Sequence, residues 1–94
     1  MSGAPRAILV AILRAIDDLE AGRSSIAEVQ QQLETNASVL DRSAGDLVQA
    51  LRALDADLEE IRFAMLLDEQ HPAAVFRLDP IRAMVAAELC RAGG

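Results

Sequence analysis

Leu33, Ala37, Leu40, Ala44, Leu47, Leu51, Leu54, Leu58, Ile61 and Met65 recur at alternating steps of four and three. A helix turns about 100° per residue, so this spacing puts all ten on one side of a helix. No proline lies between Arg6 and His71 to break it. No stretch of useful length alternates with a period of two, so strands are not expected.

Two arrangements satisfy this stripe. In one, it follows a single helix of about 45 residues, about 67 Å long, whose seam suits a coiled-coil pair. In the other, Asp41-Arg-Ser-Ala-Gly-Asp46 divides it into two helices. The divided form is the expected one. Ser43 stands three residues before Asp46, which is a helix-start signal. Gly45 costs about 1 kcal/mol inside a helix. Glu34, Asp41, Asp55 and Glu69, which flank the seam, face few opposite charges. Helices in globular proteins also average about 11–12 residues.

The remaining boundaries come from caps and prolines. Pro5 suits a first turn, and Gly22 suits the left-handed stop after Ala21, which gives a helix over about 5–21. Its stripe of Ile8, Ile12, Ile16 and Leu19 is widened by Leu9, Val10 and Leu13 to nearly the whole circumference. Such a helix is buried on more than one side, so a central or interfacial place is expected. Ser25-Ile-Ala-Glu28 reads as a capping box and opens a helix over 26–40. There Ile26, Val29, Leu33, Ala37 and Leu40 face inward, and Gln30, Gln31, Gln32, Glu34 and Thr35 cover the rest. A third helix over 44–69 ends at Gln70-His71-Pro72, because a residue before proline is pushed out of the helical region. Asp79-Pro80 then starts a fourth over 80–92, with Ile81, Met84, Val85 and Leu89 inward and Gly93 as the stop. The expectation is one all-α domain over residues 1–94. It is a compact bundle of three long helices plus a shorter C-terminal helix, with the first helix and the long stripe at its centre.

The chain is 52% hydrophobic and has 94 residues. A bundle this small has much surface for its volume, so some apolar surface is expected to remain outside. That surplus predicts a homodimer or a partner protein. The nine basic residues, all Arg, face fifteen carboxylates, for a net charge of −6. Without a basic patch, nucleic-acid binding has no electrostatic source. Anionic membrane surfaces are disfavoured for the same reason. The apolar run from Ala7 to Leu13 is too short to span a bilayer and is cut by Arg14, Asp17 and Asp18, so it reads as part of a helix. Cys90 is the one cysteine. It excludes an intrachain disulfide and fits a reducing, cytoplasmic setting.

Charge is concentrated in one segment. Asp55, Asp57, Glu59, Glu60, Asp68 and Glu69 face only Arg62 within residues 55–69, a net of −5. Their helical angles spread them over the outer side of the third helix. They form either a solvating face or a docking face for a basic partner. They do not resemble a calcium loop, which needs a turning backbone with a glycine. Asp68-x-x-His71 is the nearest approach to the Glu-x-x-His pairs of bundle metal sites, and it occurs once. His71 reads as a loop histidine with no nucleophile signalled beside it. Near a helix C-terminus the dipole disfavours a Cys90 thiolate. No phosphate-cradling glycine motif is present. No catalytic, metal or cofactor site can therefore be assembled.

Phe63 and Phe76 are the aromatics. Phe63 falls about 100° off the main stripe and adjoins Leu66 and Leu67. Either the chain after Pro72 folds back and covers this cluster with Phe76, or the cluster is an apolar anchor rimmed by Glu59, Glu60, Asp68 and Glu69. The expected function is a non-enzymatic interaction protein, an adaptor or regulator working through helix faces. The candidate contact residues are Asp55, Asp57, Glu59, Glu60, Phe63, Leu66, Leu67, Asp68 and Glu69. One alternative is an acidic protein that neutralises a basic toxin or nuclease, as immunity and antitoxin proteins do. A weaker alternative is a small helical metal-binding protein using Asp68 and His71.

Overall fold

The described residues form four helices: α1 (Arg6–Glu20), α2 (Ile26–Leu40), α3 (Gly45–Ala64) and α4 (Leu67–Gly93). The computed structural model describes residues 6–40 and 45–93, and every regular element among them is helical. The expected all-α bundle is therefore what the sequence builds.

The α1–α2 junction follows its local signals. Gly22 adopts φ +79°, the left-handed conformation that an L side chain resists. Arg23 N donates to Asp18 O at 2.7 Å and Gly22 N to Leu19 O at 3.0 Å. This paired closure uses carbonyls that the helix end leaves free. Ser25 N then donates to Glu28 Oε1 at 2.8 Å, and Glu28 N donates to Ser25 Oγ at 3.2 Å. The capping box thus satisfies two donors at the start of α2.

Contacts between helices join α1 to α2, α2 to α3, α3 to α4 and α4 back to α1. The helices therefore form a closed ring of four, in which the α1–α2 side lies opposite the α3–α4 side. α1 is one corner of this ring and packs on α2 and α4. The expected central place for it is corrected accordingly. Leu9, Ile12, Ala15, Ile16 and Leu19 of α1 are buried, whereas Val10 and Ala11 are only half-buried.

The long stripe is core on both helices that carry it. Leu33, Ala37 and Leu40 of α2 and Leu47, Leu51, Leu54, Leu58 and Ile61 of α3 all belong to one buried cluster. Residues 41–44, where the turn is expected, lie outside the described residues. The hairpin nevertheless follows from a contact. Arg62 Nη1 lies 2.8 Å from Gln30 Oε1 across 32 positions of sequence. In one straight helix those residues would be about 48 Å apart. Helices α2 and α3 are antiparallel neighbours, not one long rod.

The last break is not where the prolines suggest. It falls at Met65-Leu66, and α4 continues through Pro72 and Pro80. The expected boundaries at residues 69 and 80 are corrected by this. A proline inside a helix costs about 3 kcal/mol, because it removes a backbone bond and crowds the carbonyl four residues earlier. Here both prolines face solvent. On the opposite side Ala74, Leu78, Ile81 and Val85 are buried. Burial of large apolar side chains, at about 1.5–3 kcal/mol each, offsets the loss. Asp68 and Glu69 become first-turn residues of α4, where the helix dipole favours carboxylates. At the end of α3 they would have opposed it.

Arg82 ties α4 to α1. Its guanidinium lies 2.7 Å from Asp17 Oδ1 and also pairs with Glu20. The hydrogen bond to Asp17, reinforced by the charges of both acids, pushes the Arg82 pKa further above its ordinary value. No helix among the described residues is long and apolar enough to cross a membrane.

Candidate docking site at one corner of the bundle

The two inward stripes of α3 and α4 outrun the core that covers them. On α3 the buried positions Leu54, Leu58 and Ile61 lead to Met65, which is already exposed. On α4 the buried stripe of Ala74, Leu78, Ile81 and Val85 extends back by seven residues to Leu67. Leu67 therefore has the angular position of a core residue, yet it is 85% exposed. Leu66, in the connection, is 68% exposed, and Phe63, which points away from the α3 core stripe, is 75% exposed. All three side chains that the sequence groups are exposed at the α3–α4 junction. The alternative, in which the chain after Pro72 covers them, does not occur. Phe76 is itself 75% exposed on the outer side of α4.

The corner is pinned by backbone and side-chain bonds. Gln70 Nε2 donates to Arg62 O at 3.2 Å and to Met65 O at 3.0 Å. Those carbonyls end α3 and would otherwise lack partners. Glu69 N donates to Leu66 O at 2.9 Å. The Arg62 guanidinium stands over the Phe63 ring, 5.1 Å from its centroid, within the range of a cation–π contact.

The six acids of this region divide. Glu59, Glu60, Asp68 and Glu69 are exposed around the apolar corner. Asp55 and Asp57 sit on opposite flanks of α3 and hold neighbouring helices. Gln30 Nε2 donates to both Asp55 O and Asp55 Oδ1 at 3.2 Å. Arg77 Nη1 lies 3.4 Å from Asp57 Oδ2. Seven of the nine candidate residues are thus exposed on the last turns of α3, in the connection or on the first turn of α4, and the other two make interhelical contacts.

Gln30, expected as a surface cover, is buried, and Met84, expected inward, is exposed. For Gln30 the sequence carries a signal. Its position four after Ile26 and three before Leu33 puts it on the core stripe, which was the available signal. Gln70 likewise left a trace only in its distance from the true end of α3.

Other candidate chemistry is dispersed. His71 lies inside α4, not in a loop, and is exposed with Asp68 one turn before it. Among the described residues no three His, Cys, Asp or Glu side chains gather as a metal site. Cys90 is exposed near the end of α4. No protein-family model matches the chain, and no curated protein or solved structure is significantly similar to it.

Proposed function

We propose that this chain is a non-enzymatic interaction module that docks a protein partner at the α3–α4 corner. The observation that carries this reading is Leu67, a residue at a core angle of α4 that the chain's own helices leave 85% exposed. Met65, Leu66 and Phe63 extend the same apolar surface. An apolar centre with a polar rim is the anatomy of a protein interface. The rim of Glu59, Glu60, Asp68 and Glu69 selects a partner that presents cations around an apolar depression.

The test is a pull-down comparing the native chain with a Leu66→Ser/Leu67→Ser variant at low and high salt. Both substitutions fall on exposed positions and leave the core intact. The reading predicts a bound protein that is lost with the variant and weakened by salt, as rim charges are screened. A partner retained equally by the variant would refute docking at this corner.

A further inference from the structure

The occupant of this corner is constrained by how charge is distributed within the bundle. Arg23 pairs with Asp18, Arg77 with Asp57, Arg82 with Asp17 and Glu20, and Arg91 with Glu88. Arg62 is engaged by Gln30. Arg6 and Arg14, by contrast, have no hydrogen-bond or ion-pair partner among the described residues. Both line one groove between α1 and α2, whose apolar lining includes Ala7, Val10 and Ala11. The groove's own acids, Asp18 and Glu28, are held by Arg23 and by the Ser25 backbone. What remains is a partly apolar trough with two unpaired cations along α1, and Glu28, tied into the α2 cap, on its α2 side.

At the other site the relationship is reversed. Phe63, Leu66 and Leu67 project, and the side chains of Glu59, Glu60, Asp68 and Glu69 have no partner among the described residues. One surface is an apolar projection with acids, and the other is a partly apolar trough with cations. They lie on opposite sides of the ring of helices, so one copy can present both at once. Corner-on-corner pairing fits poorly, because a two-fold contact would bring eight like-charged carboxylates together, four from each copy.

We infer that the corner's partner is a second copy of this chain, bound head to tail. Leu66 and Leu67 of one copy enter the α1–α2 groove of the next, with the acidic rim against Arg6 and Arg14. This rests on the reading of the corner as a docking site. A heterologous contact of this kind leaves a free corner and a free groove at the ends, so it builds rings or open chains. It also explains the apolar breadth of α1, since Val10 and Ala11 serve the groove and not the core.

The test uses the full chain and two variants in sedimentation velocity from about 10 to about 500 µM, a range that spans weak association. The corner variant is Leu66→Ser/Leu67→Ser, and the groove variant is Arg6→Glu/Arg14→Glu. All four substitutions lie on exposed positions, and circular dichroism checks that each variant is folded. The native chain is expected to associate with rising concentration, and to do so at least several-fold less when salt rises from about 0.05 M to about 0.5 M. Each variant alone is expected to stay monomeric. Their mixture is expected to form a 1:1 dimer that grows no further, because one intact corner then meets one intact groove. A native chain that associates while the mixture stays monomeric would overturn the head-to-tail contact. A native chain that is monomeric throughout would overturn self-docking. In that case a foreign partner lost with the corner variant in the pull-down would leave the docking reading standing, and the absence of any such partner would remove it.

Discussion

Arg62 reaches across from α3 to donate to the buried side-chain oxygen of Gln30 at 2.8 Å. Gln30 in turn donates to Asp55, so one buried amide joins three polar groups between α2 and α3. The same guanidinium lies over Phe63. One guanidinium thus takes part both in the polar link between α2 and α3 and in a contact with a ring beside the candidate docking corner.

Arg62→Met should therefore destabilise the fold, because the Gln30 oxygen loses its donor while remaining buried. The expected loss is about 1–3 kcal/mol, the cost of leaving a buried polar group unpaired. Gln30→Leu in the same background should recover part of it. Urea unfolding of the two single variants and the double variant gives the coupling, expected at about 0.5–3 kcal/mol. Strictly additive losses would mean that the two side chains do not act together.

Leu58 and Leu67 should separate by role. Leu58 is fully buried, so Leu58→Ala should cost about 2–5 kcal/mol. Leu67→Ala removes an exposed side chain and should change stability by no more than about 0.5 kcal/mol. Thermal or urea unfolding reads both values. A loss at Leu67 comparable to that at Leu58 would place it in the core.

Pro80→Ala tests the course of α4. Within a continuous helix it restores a backbone bond to the Phe76 carbonyl and removes a clash, so it should raise stability by up to about 3 kcal/mol. At the first position of a helix beginning at residue 80, the proline would be favourable and its loss neutral or harmful. Urea midpoints of the native chain and the variant decide between these outcomes.

Legibility varied along the chain for physical reasons. The core stripe could be read because Leu33, Leu47, Leu51, Leu54 and Leu58 keep phase through the hairpin. The Gly22 stop and the Ser25–Glu28 box could be read because each is a local bond with its own residue signature. The Met65-Leu66 break carries no glycine or proline, so it is hidden in an apolar run. Pro72 and Pro80 pointed elsewhere, since their cost is decided by burial on the opposite side of α4. The dipole preference of Asp68 and Glu69 was the better signal there. Phe63, Leu66 and Leu67 could be named as a cluster from spacing alone. Their exposure could not, because it depends on where the other helices end. The pairing of Gln30 with Arg62 depends in the same way on the register of α2 against α3.

The claim that the α3–α4 corner meets a protein is tested most directly by covalent capture. A photo-reactive amino acid is placed at Leu67 and, as a control, at Ala83, an exposed position on the outer side of α4. Illumination in the producing cell should give a discrete protein adduct from position 67 and none from position 83. An absence of adduct at 67, or equal capture from both positions, would contradict it.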